Sequence, residues 1–165
     1  MKRKLRFSIL AVSALTAGGL LVALNPVASS AGDGAARGDF HAFAAGSGLD
    51  IGGHAQLVRR PSGSTFVTIH VDGLKPGGQY ASHVHKQRCE NGDADGHFQQ
   101  NGPTAGATPP NEIWPGDGPW FANAAGTANV NTTADYVANP DTLSVVVHDL
   151  SLPSTANKVA CANLD

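Results

Sequence analysis

The segment Thr65-Phe66-Val67-Thr68-Ile69-His70-Val71 alternates between two kinds of side chain along its length. Val67, Ile69 and Val71 fall on one side of an extended chain, and the intervening residues fall on the other. This period of two predicts a β-strand with one buried face. The turn signal Lys75-Pro76-Gly77-Gly78 follows shortly after the segment, so the strand is expected to end before it.

Further short segments of this kind lie on both sides of that strand. They are separated by turn residues, and no helical periodicity of useful length appears beyond the amino-terminal segment. We expect strands at residues 40–43, 53–60, 79–85, 120–123, 127–133 and 143–148. About eight strands with turn signals at short intervals predict an all-β fold, as an antiparallel sandwich or barrel.

Two connections have a distinct composition. The tripeptide Ala124-Ala125-Gly126 predicts a hairpin between the strands at 120–123 and 127–133. Residues 101–118 contain four prolines and four glycines, which predicts a long irregular loop. Loops of this length in compact domains are often functional.

Residues 1–31 have the layout of a secretory signal peptide. Four basic residues among the first six precede an apolar stretch, and small residues surround the expected cleavage point after Ala31. A permanent membrane anchor is the alternative, although serines and glycines dilute a stretch at the lower length limit for spanning. We expect a secreted or extracellular protein with a flexible lead-in at 32–39 and one domain at 40–165.

The charge of the mature chain limits its partners. Removal of the signal takes four basic residues and no acidic ones, which leaves seven Lys and Arg against thirteen Asp and Glu. The formal charge is then −6, which argues against nucleic acid and against anionic membranes as partners. The sequence carries no signal for an oligomeric state.

Cys89 and Cys161 are the only cysteines of the chain. A pair of cysteines in a chain bound for an oxidising compartment favours a disulfide over two free or metal-binding thiols. Closing a loop of this length would stabilise the fold by about 4 kcal/mol in the chain-entropy model.

Four histidines fall where they could bind one ion. His83 and His85 are two residues apart on an expected strand, so their side chains leave the same face. His97 lies in a loop rich in glycine and aspartate, and His148 ends the valine-rich strand. Four imidazoles without a thiolate suit a Cu(II)/Cu(I) couple. A His-x-His pair alone is a weak signal, because many such pairs are surface residues of a strand.

The order of motifs around these histidines resembles the copper,zinc superoxide dismutase family over residues 51–161. The matching motifs, in chain order, are Ser82-His83-Val84-His85, Cys89, Asp95-Gly96-His97-Phe98, Val145-Val146-Val147-His148 and Val159-Ala160-Cys161. The resemblance implies a Greek-key β-sandwich or barrel with long loops. It also implies that His83, His85, His97 and His148 are copper ligands, that Cys89 and Cys161 form the structural disulfide, and that Val84 faces the core.

The chain departs from the zinc-containing members of this family. Those members place two further histidines and an aspartate after the bridging histidine, whereas here no histidine occurs between His97 and His148. Zinc would have only His97 with oxygen ligands such as Glu112 or Asp117, which is a poor tetrahedral structural site. We therefore predict copper alone and no zinc, as in copper-only members. Asp117 or Asp149 is then the expected carboxylate partner for the outer nitrogen of His97.

A second departure concerns the guidance of an anionic substrate. Only twelve residues separate His148 from Cys161, where the family has a longer guiding loop, so the metal should be more open to solvent. Lys158 stands where the family has an arginine, and it keeps the charge without the planar fork. Lys86 and Arg88 could add positive potential near the metal, or they could be ordinary surface charges.

The resemblance implies a superoxide dismutase that converts superoxide to oxygen and hydrogen peroxide by Cu(II)/Cu(I) cycling, and the expected signal peptide makes it a secreted one. His97 would act as both ligand and proton donor, with Lys158 beside the metal. The alternative of the same fold is a non-catalytic extracellular protein that binds or buffers copper. The remaining histidines, His41, His54 and His70, are expected to be bystanders, and Trp114 and Trp120 to cover the core edge.

Two other kinds of metal protein fit less well. Gly77, the His83–His85 pair and Glu90 match half of the cupin pattern, but the second half is absent and His97 and the cysteine pair would be unexplained. A blue-copper electron carrier is excluded, because Met1 is the only methionine and no Cys-to-His ligand run precedes one.

Overall fold

The computed structural model describes residues 34–165. The expected signal peptide at 1–31 and the first residues of the expected lead-in lie outside this range. Within residues 34–165, no helix combines the length and the apolar composition needed to cross a bilayer.

The described residues form nine strands in two antiparallel sheets, which confirms the all-β prediction. The strands are β1 (Ala35–Asp39), β2 (His41–Ala42), β3 (Gly52–Arg59), β4 (Thr65–Asp72), β5 (Gln79–His85), β6 (Trp120–Phe121), β7 (Ala128–Ala134), β8 (Ser144–Asp149) and β9 (Lys158–Asn163). One sheet has the order β1-β3-β4-β7 and the other has the order β2-β9-β8-β5-β6. The chain crosses between the sheets five times, so strands adjacent in sequence often lie in different layers.

The core fills the space between the two sheets. In β4 the alternation predicted from the sequence is present, since Val67, Ile69 and Val71 are at most 1% exposed and the residues between them are partly exposed. They belong to the same apolar cluster as Val84 of β5 and Val145 of β8. Burial of these side chains is what holds the sheets face to face.

The expected flexible lead-in is wrong for the part that the structure describes. Residues 35–39 form β1, which pairs with β3 from Ala35 opposite Val58 to Asp39 opposite His54. Ala36 is buried, and the amide of Arg37 donates to the carbonyl of Asp165. Backbone pairing determines this edge strand, and a small, polar composition does not reveal it.

The expected hairpin around Ala124-Ala125-Gly126 is also wrong. The turn itself exists, and the side-chain oxygen of Asn123 accepts the amides of Ala125 and Thr127. However, β6 pairs with β5 and β7 pairs with β4, so the turn leads from one sheet to the other. A turn signal specifies a reversal of the chain, but it does not specify which strand each arm will pair with.

The expected disulfide between Cys89 and Cys161 is present and buried. It ties the loop after β5 to the middle of β9, across 72 positions of sequence. Phe43, Ala94 and Val146 surround it as a second, smaller apolar cluster. This cluster lies on the outward face of the five-stranded sheet, because Val146 alternates with core residues Val145 and Val147 along β8.

We expect reduction of this disulfide to lower the free energy of unfolding by about 2–5 kcal/mol, because the reduced unfolded chain regains loop entropy. Urea unfolding of the mature protein with and without reductant measures the difference. A double variant with Cys89→Ala and Cys161→Ala serves as the control, and its urea midpoint of unfolding should be the same with and without reductant. An unchanged midpoint for the fully reduced native sequence would contradict the prediction.

Candidate metal centre

Four histidine side chains converge at one place on the outward face of the five-stranded sheet. His83 and His85 project from β5, with Val84 between them facing the core as expected. His148 projects from β8, opposite Ala81 of β5, and His97 forms an isolated bridge with His85. One nitrogen from each of the four rings lies within 4.8 Å of the others. The structure therefore brings together all four histidines selected from the sequence.

The nitrogens that face the centre of this cluster have no partner in the protein. His83 Nδ1, His85 Nε2 and His148 Nε2 are buried and make no hydrogen bond. Burying a polar atom unpaired costs about 1–3 kcal/mol each. The arrangement fits an ion that accepts these lone pairs, and an all-imidazole set suits copper in both oxidation states.

The opposite nitrogens of three rings are held by hydrogen bonds. His85 Nδ1–H donates to the carbonyl of Ala94 at 2.5 Å, and His148 Nδ1–H donates to Oδ1 of Asn157 at 2.9 Å. His97 Nδ1–H donates to Oε2 of Glu112 at 2.7 Å. With hydrogen on Nδ1, each ring keeps the lone pair of Nε2 for the cluster.

Burial keeps the innermost rings neutral. Desolvation, followed by the neighbouring imidazoles, lowers the pKa of His83 to about 2. Desolvation likewise lowers the pKa of His85 to about 2 and that of His148 to about 4. A neutral imidazole is the form that binds a metal, so the fold presents these ligands already deprotonated at neutral pH.

Glu112 is the residue that sequence reasoning missed as the partner of His97. Its carboxylate is 2% exposed, and Oε2 accepts both the His97 ring and Nε1–H of Trp114 at 2.7 Å. Its Oε1 accepts the side-chain amide of Gln99 at 2.9 Å. Glu112 comes from the proline-rich loop predicted at 101–118, and this composition was the available signal that the loop serves a site.

The two carboxylates expected to hold His97 are engaged elsewhere. Asp117 accepts the hydroxyl of Thr132 on β7. Asp149 accepts Lys75 Nζ at 2.8 Å and the hydroxyl of Ser151 at 2.6 Å. Asp149 follows His148 directly on β8, so its side chain leaves the opposite face of the sheet.

The loop after β5 holds the cluster through its backbone. Asp93 and Ala94 have φ angles of 52° and 54°, in the left-handed region that side-chain-bearing residues seldom adopt. Ala94 is fully buried and its carbonyl orients His85, while the carbonyl of Asp93 accepts Lys158 Nζ at 2.8 Å. The disulfide at Cys89 anchors this loop. The strained backbone therefore lies at the metal cluster, where it orients a ligand.

Lys158 lies at the rim of the cluster. It lines an open pocket of about 340 Å³ together with the four histidines, Leu150 and Asn157. Its charge helps to lower the pKa values of His85 and His148. Among the described residues it makes no salt bridge, so its charge is not neutralised by a carboxylate.

The remaining histidines lie away from this cluster. His54 and His70 face each other across β3 and β4, on the other sheet, and His41 lies on β2. Trp120 stacks on Tyr80 within the core, as expected for a residue at the core edge. Trp114 instead lies 4.8 Å from the ring of His83, so it belongs to the wall of the site.

Comparison with known proteins identifies the family of the chain. The model of the copper/zinc superoxide dismutase family matches residues 51–161. The chain belongs to this family. No curated protein sequence matches the chain significantly.

Solved structures share the superoxide dismutase fold. Candida albicans superoxide dismutase 5 in its Cu(II) form matches with a TM-score of 0.52 at 17% identity, covering 80% of this chain and 91% of that one. The clock protein EA4 matches with a TM-score of 0.55 at 18% identity, covering 80% and 94%. Within the superoxide dismutase family the chain resembles the copper-only members.

We expect the metal-free protein to lose stability as the pH falls below about 6.5. The unfolded chain takes up protons on His83, His85 and His148 near the ordinary value of 6.5, whereas the folded chain resists until about 4 for His148 and about 2 for the others. Each ring therefore removes up to about 1.4 kcal/mol per pH unit in this window.

Thermal unfolding in chelator between about pH 7.5 and about pH 4.5 measures this effect. His85→Gln should flatten the pH dependence, because one depressed imidazole is gone. His41→Gln, at an exposed position on β2, is the control and should leave the slope as it is. A melting temperature that does not change with pH would show that the rings are not buried in neutral form.

Proposed function

We propose that the mature protein is a secreted superoxide dismutase that uses copper alone, held by His83, His85, His97 and His148. The observation that carries this proposal is the set of buried, unpartnered nitrogens that face one point. Bound copper would supply a one-electron couple that oxidises one superoxide to oxygen and reduces a second to peroxide. The overall conversion takes two superoxide ions and two protons to one oxygen and one hydrogen peroxide.

His97 is the residue best placed to move a proton. It is 31% exposed, whereas the other three rings are mostly or fully buried. Its Nδ1–H stays bonded to Glu112, so Nε2 is the atom that would accept a proton from solvent, once it has released the metal, and pass that proton to a reduced substrate. The buried carboxylate stabilises the protonated ring during this transfer.

The absence of zinc is part of the proposal. Glu112 occupies Nδ1 of His97, the nitrogen that a bridging histidine would offer to a second metal. Among residues 34–165, the four-histidine set is the one group of three or more metal-binding side chains close enough to hold an ion. A carboxylate thus replaces zinc in orienting His97.

Two lysines supply positive charge to an open pocket on an acidic domain. Lys158 lines the pocket, as does Gly96. The side chain of Lys86 packs against Gly96 so closely that a Cβ on this glycine would lie 2.8 Å from Lys86 Cε. Arg88 is not available for this role, because it pairs with Glu90 and Asp165. We propose that Lys158 and Lys86 attract superoxide to the site, in place of a longer guiding loop.

Secretion is supported by the charged and apolar start of the sequence and by the disulfide. Structural disulfides persist in oxidising compartments and are rare in the cytosol of most cells. We propose an extracellular location for the mature domain, after removal of residues 1–31.

The deciding experiment loads the mature protein with copper alone, verifies the metal content, and assays superoxide removal. We expect one copper per chain, no zinc and activity well above that of a variant with His83→Ala and His148→Ala. Bound copper without activity would overturn the enzymatic proposal and favour a copper-binding or copper-buffering protein of the same fold. Activity that requires added zinc would overturn the copper-only assignment.

We expect Lys158→Gln to lower kcat/KM for superoxide by about 3- to 10-fold and to weaken its dependence on ionic strength, because electrostatic steering is lost. Copper content should not change, since Lys158 bonds a carbonyl and no ligand. Arg60→Gln is the control, because it removes one charge from the turn after β3. Equal losses in both variants would mean that net charge matters and the position of Lys158 does not.

A further inference from the structure

His148 lies at an irregularity in the pairing of β8 with β9. Val147 pairs with Ala160, but His148 pairs with Lys158, so Val159 is an extra residue on β9. Val159 is 1% exposed and packs into the core. A bulge of this kind bends the strand and re-aims neighbouring side chains, and it brings the residue before Lys158 alongside His148.

That residue is Asn157, which contacts the end of β8 twice. Its backbone carbonyl accepts the amide of Asp149 at 2.8 Å, and its side-chain Oδ1 accepts Nδ1–H of His148 at 2.9 Å. Asp149 is itself fixed by Lys75 and Ser151. Asn157 therefore closes the short connection between β8 and β9 directly onto a predicted copper ligand.

The three hydrogen-bonded rings of the cluster differ in what holds them. His85 is held by a backbone carbonyl and His97 by a buried carboxylate with three donors. His148 alone relies on the neutral side chain of a residue that is only partly buried. A rotated ring, or the tautomer with hydrogen on Nε2, is opposed by this one amide oxygen, because either would break the bond from Nδ1–H to Oδ1 of Asn157.

We propose that Asn157 is a positioning residue that holds His148 with hydrogen on Nδ1 and the lone pair of Nε2 directed at the metal. This inference rests on the proposed function. Its Oδ1 bonds Nδ1, the nitrogen of His148 on the far side of the ring from the cluster, so Asn157 would act on the metal through His148. The connection between β8 and β9 is shorter than the guiding loop of the family. It leaves the pocket open, and through Asn157 it also supports a metal ligand.

The test measures copper binding, which does not depend on turnover. Asn157→Leu keeps the size of the side chain and removes the acceptor, whereas Asn157→Asp keeps an acceptor oxygen in place. We expect Cu(II) affinity, measured by competition with a chelator, to fall about 10- to 100-fold in Asn157→Leu and to stay within about 3-fold in Asn157→Asp. The Cu(II) electron paramagnetic resonance spectrum should change in the leucine variant alone.

Asn139→Leu is the matched control, because the side-chain oxygen of Asn139 likewise accepts a hydrogen bond, from the amide of Asp141, but lies outside the pocket. Asn157→Ala replaces the leucine variant if the latter does not fold by circular dichroism. Native affinity and spectrum in the variant without an acceptor would overturn the proposal, as would equal losses in the leucine and aspartate variants. Tight copper binding without dismutation by the native protein would overturn the proposed function and leave the role of Asn157 intact.

Discussion

Neutral imidazoles with inward lone pairs are the constraint on which the rest of this domain depends. Three buried nitrogens face one point without a protein partner, and desolvation lowers the pKa values of their rings far below the ordinary value. In water, protonation would give each of these nitrogens a hydrogen-bonded partner. In this buried site it would instead place positive charges next to one another without solvent. The cluster is therefore stable as a set of neutral ligands, and an ion that takes up the lone pairs offsets the cost of building it.

The two β-strands fix only part of this geometry, and three separate loops complete it. The loop after β5 contributes the carbonyl of Ala94, the proline-rich loop contributes Glu112, and the connection before β9 contributes Asn157. Each partner sets the orientation of one ring and which of its nitrogens carries hydrogen. The disulfide joins the first of these loops to β9, so the outer supports are tied to the sheet that bears the ligands.

The predictable and unpredictable parts of the site follow from this division. His83, His85 and His148 lie on strands whose periodicity determines the side-chain direction, and the order of family motifs adds His97 and the disulfide. The roles of Glu112 and Asn157 were not predictable, because a loop brings them to the rings through tertiary contacts without local periodicity. The same reason explains the two errors in the fold, since the pairing of β1 and of β6 depends on the other strands and not on local composition.

A carboxylate beside His97 gives the site different electrostatics from a second metal ion at the same position. A zinc ion would bring positive charge next to His97, whereas Glu112 brings negative charge to the same nitrogen. An anionic substrate would be repelled by an exposed carboxylate, but Glu112 is buried and its oxygens accept three donors. Lys158, which lines the pocket, has no carboxylate paired to it among the described residues. The negative charge that orients His97 is therefore buried, and the positive charge of Lys158 lines the open pocket, where the proposed copper-only site would attract an anion.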